Sequence, residues 1–431
     1  MSLAFTLCLV TVFLLAAFGT PVSFSMITGA IIYLLISGQD LALAGEQIVQ
    51  GVYNSFILLA VPLFIVAANI MNAGTISDRL LQFCVAIVGH LRGGLGHVNI
   101  VSSLIFSGMS GSAVADAAGV GRVIINMMTK DGRYPASYAA AVTAASATIG
   151  PIIPPSIPMV IYALVSGTSI GFLFIAGLIP GLLMGVVLMI MNRVQAKKLN
   201  IAQEERTPRK ELPRITLRAL PALMMPAILL YGIYGGVTTP TEAAAVAAAY
   251  ALLLATVVYR SISWGELYGA LKESAYSSAS VGLVIGAALI FNYIVATEGI
   301  PNQIAGTLGE MDLSPIAFLL LINVVYLLLG CVLDATTVIL VIVPLLIPAC
   351  RELGVDLVHF GVITIVNLMI GLITPPYGVL LFVINGTTGI PLAGMIKQVV
   401  PFIVMLIGAL LVMTIFPDLI LFLPRLFGYQ G

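Results

Sequence analysis

Two proline pairs, each inside an apolar run, decide how this sequence folds: Gly150-Pro-Ile-Ile-Pro-Pro-Ser156 and Gly371-Leu-Ile-Thr-Pro-Pro-Tyr377. Proline removes a backbone donor and clashes with the preceding helical turn, so we expect a helix to unwind at each motif. Unwound backbone at membrane depth is tolerated only where it lines a cavity or is buried in protein. Corresponding interruptions in the two halves of a chain are typical of a transporter's binding site. A simple proline kink bridged by neighbouring helices is the alternative interpretation.

The composition indicates a membrane protein. Of the 431 residues, 60% are hydrophobic and 8% are charged, whereas soluble domains carry about 25% charged residues. Apolar blocks such as 3–18, 160–191 and 400–416 recur along the chain, and a helix needs about 20 apolar residues to span a bilayer. We therefore predict an all-α polytopic protein in a lipid bilayer. The net charge is zero, and no nucleic-acid partner is expected.

Four landmarks recur in the same order along the chain, which indicates an internal duplication. The proline pairs of the two motifs are 221 residues apart. Three further pairs have offsets of 219, 225 and 218 residues: Thr20-Pro21 with Thr239-Pro240, Gly74 with Gly299, and Asp116-Ala117 with Asp334-Ala335. We predict a first repeat over 1–192 and a second repeat over 219–431.

A hydrophilic linker over 193–218 separates the repeats. It holds eight of the eighteen basic residues against three acidic ones, so the positive-inside rule places it in the cytoplasm. Two apolar blocks, 95–127 and 314–350, are predicted to be re-entrant helical hairpins, and the block 3–37 is either two spans or one long broken helix. The predicted spans, which include the two broken helices, are 3–18, 21–37, 52–73, 135–167, 169–192, 215–236, 240–260, 275–297, 357–388 and 398–423.

The distribution of charge tests this topology. Fifteen basic residues then lie on the cytoplasmic side, Arg351 and Arg425 lie outside, and Arg122 lies inside the first hairpin. This bias places both termini outside and makes the two repeats inverted relative to each other. Acidic residues show the opposite bias, and the following are predicted to lie outside: Asp40, Glu46, Glu298, Glu310, Asp312, Glu352, Asp356 and Asp418.

Small and hydroxyl-bearing residues mark the tips of both predicted hairpins. The first tip contains Ser107, Ser110 and Ser112 and leads to Asp116, and the second covers 330–337. Small residues let backbones approach closely. Hydroxyl and carbonyl oxygens are hard ligands of the kind that bind hard cations, and here they suit Na⁺.

Asp116 and Asp334 are the acidic residues that this topology places deep inside apolar blocks. An intramembrane carboxylate costs about 2.5–3.5 kcal/mol or more unless it is paired or functional. Each aspartate is interpreted either as an organiser of an ion site or as a helix N-cap, and Asp334 suits a cap because it precedes the apolar run 335–349. Glu242 belongs to a capping box. Three asparagines are expected to join helices by hydrogen bonds: Asn292, Asn323 and Asn367.

The sequence carries no motif of a hydrolase, a metalloprotease or a phosphate-binding loop. Its three histidines and four cysteines form no ligand pattern. We therefore expect neither an enzymatic activity nor a cofactor, apart from Na⁺ as a coupling ion.

Four motifs, in order, resemble the large membrane subunit of TRAP transporters, the tripartite ATP-independent periplasmic transporters. The resemblance covers almost the whole chain. It implies an elevator-type secondary transporter of the bacterial inner membrane that takes up small organic anions with Na⁺. It also implies a periplasmic substrate-binding protein and a separate small membrane subunit of four helices. The motifs are Ser110-Gly-Ser-Ala-Val-Ala-Asp116, Gly150–Ser156, Tyr234-Gly-Gly-Val-Thr-Thr-Pro-Thr-Glu-Ala-Ala-Ala245 and Asn367-Leu-Met-Ile-Gly-Leu-Ile-Thr-Pro-Pro376.

The resemblance also implies where the sites lie, with ions bound where a hairpin tip meets an unwound helix. The expected Na⁺ ligands in the first repeat are Ser107, Ser110, Ser112, Asp116, Thr148 and Gly150. Those in the second repeat are Gly330, Asp334, Thr337, Gly371 and Thr374. The substrate is expected between the tips, against Pro154, Pro155, Ser156, Pro375, Pro376 and Tyr377.

Three other functions are compatible with parts of this pattern. The nearest is a dicarboxylate or citrate carrier of the same superfamily that works without a binding protein. An intramembrane enzyme would need clustered acids or histidines near an interface, which the chain lacks. A channel is disfavoured because paired hairpins and broken helices suit alternating access.

Overall fold

The computed structural model describes residues 2–53, 55–73, 76–201, 203, 206–311 and 313–431. Within these ranges the secondary structure is helical and includes no strand. Gly74, used above as a landmark of the repeat, and Asp312, counted among the outer acids, lie outside the described residues.

The part of the chain before the linker forms helices α1 to α11. Their bounds are α1 (Leu3–Ala17), α2 (Val22–Ser37), α3 (Ala42–Tyr53), α4 (Ala60–Ala73), α5 (Ile76–Val88), α6 (Gly94–Ser110), α7 (Ala113–Ala118), α8 (Val120–Thr129), α9 (Ala136–Ala147), α10 (Ile157–Ser166) and α11 (Ile170–Lys198).

The part after the linker forms helices α12 to α22. Their bounds are α12 (Leu212–Tyr234), α13 (Pro240–Leu253), α14 (Trp264–Thr297), α15 (Ile300–Glu310), α16 (Pro315–Gly330), α17 (Ala335–Val341), α18 (Val343–Glu352), α19 (Leu357–Gly371), α20 (Val379–Thr388), α21 (Leu392–Ile415) and α22 (Pro417–Leu426). A 3₁₀ turn at Phe56–Leu59 precedes α4, and a π-helical turn at Leu254–Val258 extends α13.

Six helices among the described residues are long and apolar enough to cross a membrane, or seven if the bent pair α17 and α18 is one span. Each of the six overlaps a predicted span, which confirms a multi-pass helical architecture. The prediction of one span over 398–423 is wrong, because α21 ends at Ile415 and Pro417 begins a new helix, α22. The six are Phe56–Ala73, Ile170–Lys198, Leu212–Tyr234, Pro240–Val258, Trp264–Thr297 and Leu392–Ile415.

The first apolar block, 3–37, forms two helices packed against each other. Residues 18–21 make the turn between α1 and α2, with Gly19 at a φ of +86°. Close contact is possible because α2 carries Gly29 at the crossing, where a Cβ atom would come within 2.6 Å of a Val12 methyl group. The alternative of one long broken helix is therefore excluded.

The two proline motifs unwind their helices, as the sequence predicts. Residues 148–156 separate α9 from α10, and residues 372–378 separate α19 from α20. A simple kink would interrupt far fewer residues. The Pro154–Pro155 and Pro375–Pro376 peptide bonds are both cis.

Each predicted hairpin is a long helix followed by a short helix and a return helix. In the first hairpin α6 leads into α7, and α8 packs back against α6. In the second, α16 leads into α17 and α18, which are bent by 53° relative to each other. Pro344 at the start of α18 accounts for the bend, since it has no N–H to continue α17.

Elements from the part of the chain before the linker pack against elements from the part after it. The helix after the first break, α10, packs against α17 and α18 of the second hairpin, whereas α20 packs against α7 and α8 of the first. Likewise α21 packs against α9, and α11 packs against α19. The two broken helices and the two hairpins therefore share one core.

The three asparagines join helices, as predicted. Asn367 Nδ2 donates to both the carbonyl and the side-chain Oδ1 of Asn323, at 2.9 Å each. Asn323 Nδ2 in turn donates to Thr414 Oγ1 at 2.8 Å, which connects α16, α19 and α21. Asn292 Nδ2 donates to the Leu340 carbonyl at 3.0 Å and ties α14 to α17.

Candidate ion and substrate site

The first hairpin tip contacts the first unwound segment. Helix α6 ends at Ser110, and its C-cap, Gly111, has a φ of +58° in the left-handed region. A Cβ atom at Gly111 would lie 2.3 Å from the Pro155 carbonyl oxygen, so only glycine allows this approach. Ser112 then caps α7, because the Ala115 N–H donates to Ser112 Oγ at 3.3 Å.

The first unwound segment is buried beneath this tip. At Gly150 a Cβ atom would lie 3.5 Å from the Ala113 nitrogen, at the start of α7. Ser156 is fully buried and caps α10, with Met159 N donating to its Oγ at 3.2 Å. The Ser156 hydroxyl donates to the Pro151 carbonyl, which closes the loop on itself.

The second hairpin tip contacts the second broken helix in the same way. A Cβ atom at Gly371 would lie 2.7 Å from the Gly330 Cα. Asp334 caps α17, because the Thr337 N–H donates to Asp334 Oδ1 at 3.0 Å and the Thr337 hydroxyl donates to Oδ2. Each hairpin tip therefore contacts the proline motif of its own repeat, as the sequence predicts.

The second unwound segment is more open than the first. Thr374 N donates to the Gly371 carbonyl at 3.0 Å, and Leu380 N donates to the Leu372 carbonyl at 3.0 Å. Pro376 is exposed, and 58% of Tyr377 is exposed, with its ring 5.3 Å from that of Phe382. Pro154, Pro155 and Ser156, by contrast, are all buried.

The two intramembrane aspartates are not equivalent, which corrects their pairing in the repeat. Asp334 is an exposed N-cap, whereas Asp116 lies within α7, is 4% exposed and has a buried Oδ2 without a hydrogen-bond partner. The residue that caps the corresponding helix is Ser112, which is 222 residues before Asp334 and fits the 221-residue offset of the prolines better.

Three of the predicted hydroxyl ligands donate their proton to a carbonyl three or four residues earlier in the chain. Ser107 Oγ donates to the Leu104 carbonyl at 2.6 Å, Thr148 Oγ1 to the Ala145 carbonyl at 2.6 Å, and Thr374 Oγ1 to the Ile370 carbonyl at 2.7 Å. A hydroxyl whose proton is used by its own helix keeps oxygen lone pairs for another group. The described residues contain no group of three or more His, Cys, Asp or Glu placed to hold a metal ion. Oxygen ligands of this neutral kind suit a hard monovalent cation.

Two supporting contacts were not predicted. Helix α11 lies directly under the first unwound segment, since a Cβ atom at Gly177 would lie 2.2 Å from the Ile152 carbonyl oxygen. Pro226 of α12 contacts α6, and its Cγ would be 2.6 Å from a Cβ at Gly108. A search of the sequence for glycines in long apolar helices would have found Gly177 but not its partner.

This combination of apolar spans, hairpins and unwound helices defines the chain as a multi-pass membrane transport protein. The family model described as the tripartite ATP-independent periplasmic transporter, DctM component, matches residues 9–419. The chain therefore belongs to the DctM family of TRAP transporter subunits.

Three relatives with assigned names align with almost the whole of this chain. The sialic acid TRAP transporter large permease protein SiaM of Vibrio cholerae is 42% identical over 95% of this chain and 96% of its own length. The C4-dicarboxylate TRAP transporter large permease protein DctM of Pseudomonas aeruginosa is 38% identical over 93% and 94%. The sialic acid TRAP transporter permease protein SiaT of Haemophilus influenzae is 36% identical over 95% of this chain but only 66% of its own length. All three are permease proteins of transporters.

The fold is also found in a solved structure. The YdaH transporter of Alcanivorax borkumensis superimposes with a TM-score of 0.64 over 88% of this chain and 89% of its own, at 16% sequence identity. At that identity the likeness concerns the fold alone.

Proposed function

We propose that this chain is the large transmembrane subunit of a TRAP-type secondary transporter that imports small organic anions by Na⁺ symport. It works in the bacterial inner membrane with a small four-helix membrane subunit and a periplasmic substrate-binding protein. The observation that carries the proposal is the meeting of each hairpin tip with a proline-broken helix, at Gly111 with Pro155 and at Gly330 with Gly371.

Na⁺ coupling is supported by the ligands available at these two contacts. Unwound segments leave backbone carbonyls free of helical hydrogen bonds, and such carbonyls coordinate Na⁺ in transporters with broken helices. The first ion site combines Ser107, Ser110 and Ser112 of the tip with 148–154. The second combines 330–337 with 371–375. Asp116 supplies negative charge beside the first site, where its Oδ2 has no other hydrogen-bond partner.

An anionic substrate is supported by the helices that begin at the two motifs. Both α10 and α20 are ten residues long and start directly after the unwound segments. Helix N-termini carry partial positive charge and bind carboxylates. The relatives SiaM and DctM are named for sialic acid and C4-dicarboxylates, which are carboxylates. We place the substrate between the motifs, against Pro154, Pro155, Ser156, Pro375, Pro376 and Tyr377.

Alternating access arises from movement of one packed unit against another. Helices α2, α4, α13 and α14 pack together, as do α9, α11, α19 and α21 with the two hairpins. We assign the first group, with α1, α3, α5, α12 and α15, to a scaffold, and the second to a transport domain that moves as an elevator. The matching order of hairpin and broken helix before and after the linker supports two inverted repeats over 1–192 and 219–431.

A separate small subunit is supported by the length of the relative SiaT, of which this chain covers 66%. The remaining length of that single permease protein lies outside the part that matches this chain. A dedicated small membrane subunit accounts for it.

The test is uptake into proteoliposomes that contain both membrane subunits, with the cognate binding protein added outside. We expect uptake to require a Na⁺ gradient and no ATP. Ser110→Ala combined with Ser112→Ala should raise the Na⁺ concentration for half-maximal uptake several-fold. The matched control is Ser25→Ala, which removes a buried hydroxyl whose hydrogen bond goes to the Pro21 carbonyl of its own helix. Undiminished uptake in Na⁺-free buffer would disprove the coupling to Na⁺. Uptake without the binding protein would disprove that this partner is required.

A further inference from the structure

A positively charged pocket lies at the end of α11, apart from the hairpin tips. Its volume is about 620 Å³, and it is formed by the turn between α5 and α6, by the last turns of α11 and by Gln203 of the linker. Two arginines and two histidines line it: His90, Arg92, His97 and Arg193. The lining residues that the structure describes include no carboxylate. Such a pocket attracts anions.

The two histidines present hydrogen-bonding nitrogens that have no partner. His97 is only 3% exposed, and its Nδ1 is buried without a hydrogen bond. His90 Nδ1 is also buried without a partner, while its Nε2 lies 3.3 Å from an Arg206 guanidinium nitrogen. Because a guanidinium can only donate, His90 Nε2 is the acceptor in this contact. Both rings line the pocket, so each places a polar group beside the two arginines.

The start of α6 adds to the positive potential. This helix has 17 residues, and its N-cap, Gly93, has no side chain that could accept from the first N–H groups. Arg92 and His97 stand on either side of this N-terminus, and both line the pocket. Leu95 N already donates to the Tyr134 hydroxyl at 3.2 Å, and Gly96 N donates to the Gly93 carbonyl at 2.8 Å. The helix therefore contributes the positive end of its dipole beside Arg92, and not free N–H groups.

The wall below the charged groups is apolar. Val186, Met189 and Ile190 of α11 line the pocket within two turns of Arg193. Val186 and Ile190 are 54% and 52% exposed, on a helix long enough to cross the membrane. Free phosphate would gain nothing from an apolar wall, whereas a lipid acyl chain can pack against it.

We propose that this pocket binds the phosphate headgroup of an anionic glycerophospholipid. The headgroup lies between the exposed side chains of Arg92 and Arg193, beside the rings of His90 and His97, and one acyl chain runs along Val186 and Ile190. Basic pockets at the ends of membrane helices are known to recognise such headgroups. The lipid connects the first hairpin to α11 at the membrane surface, and it takes no part in the ion or substrate site.

The experiment is a titration of the intact, detergent-purified chain with phosphatidylglycerol, followed by native mass spectrometry. The test variant is Arg92→Gln with Arg193→Gln, made singly and together; both side chains are exposed, so folding should be retained. The control is Lys197→Gln with Lys198→Gln, which removes the same charge from the same end of α11 outside the pocket. We expect binding to weaken about fivefold for each arginine removed, so on the order of 25-fold for both, with little change in the control.

Three results would overturn the proposal. Equal weakening in the lysine control would mean that general surface charge holds the lipid. Equal binding of zwitterionic phosphatidylcholine would mean that the arginines do not select a lipid with a net negative headgroup. Equally tight binding of inorganic phosphate, measured by competition, would mean that the pocket binds free phosphate and that the apolar wall contributes nothing. None of these measurements depends on transport.

Discussion

Gly330 and Gly371 lie backbone against backbone, with so little space that a Cβ atom on Gly371 would come within 2.7 Å of the Gly330 Cα. This contact joins the end of α16, in the second hairpin, to the end of α19, in the second broken helix. A side chain at Gly371 has to push the two elements apart, whereas a Cβ atom at Gly330 would lie 3.3 Å from the Gly371 Cα.

The first prediction concerns this contact. Gly371→Ala should displace the hairpin tip from the broken helix, so that uptake falls at least tenfold and the melting temperature decreases. The matched control is Gly408→Ala in α21, where nothing lies within 4 Å of an added Cβ. Alanine is favoured over glycine in a helix by roughly 0.5–1 kcal/mol, so the control should keep its activity and stability. Wild-type uptake by Gly371→Ala would contradict the role of the contact in the site.

The second prediction separates the two interpretations of Asp334. Asparagine caps a helix about as well as aspartate, whereas alanine loses about 1 kcal/mol. Asp334→Asn should therefore preserve thermal stability but raise the Na⁺ concentration for half-maximal uptake, because the charge beside the ion is gone. Asp334→Ala should impair both properties. If Asp334→Asn transports with unchanged Na⁺ dependence, Asp334 is a helix cap and not part of an ion site.

The third prediction concerns the proline pairs. Replacing Pro154 and Pro155, or Pro375 and Pro376, by alanine should let the helix rewind, since proline costs about 3 kcal/mol relative to alanine in a helix interior. Rewinding withdraws the carbonyls, so uptake should drop to background while the protein stays folded and its melting temperature no longer responds to Na⁺. Pro401→Ala, a proline inside the continuous helix α21, is the control and should transport. Near-normal uptake by both double variants would leave the prolines as structural kinks only.

The fourth prediction concerns topology. The positive-inside rule places the linker in the cytoplasm and Glu310 outside. Cysteines introduced at Arg209 and at Glu310 should therefore react with a membrane-impermeant maleimide from opposite sides of a right-side-out vesicle. The four native cysteines are all buried, so their background labelling should be low. Labelling of both positions from the outside would disprove the inverted repeats.

Hydropathy and proline chemistry predict much of this fold from the sequence. Long apolar runs locate the six helices of the described residues that are long and apolar enough to cross a membrane. The motifs at Gly150 and Gly371 locate both breaks, because each of these signals is local. Short helices escape such signals. Helices α3, α5 and α15 were not predicted, since they are too short or too polar to stand out as spans.

The pairing of Asp116 with Asp334 shows where sequence matching fails at the candidate site. Both are acidic and follow a small-residue tip, yet only Asp334 caps a helix. In the first hairpin a serine performs that task, and capping depends on side-chain oxygen geometry that Ser and Asp share. The identity of a residue was therefore a poorer guide than its position. Contacts such as Gly177 with the Ile152 carbonyl depend on how separate helices cross, and no local pattern encodes that.

The exchanged packing of the two halves has a consequence for how the chain is made. Helix α10 packs against α17 and α18, which emerge from the ribosome only after the linker and five further helices. Until then the surface of α10 that will contact them has no native protein neighbour. The mature core can therefore assemble only once synthesis is nearly complete, and a polypeptide that stops in the linker is an unfinished protein and not an independent domain. Two fragments divided within the linker should regain the native assembly only when both are produced in the same cell.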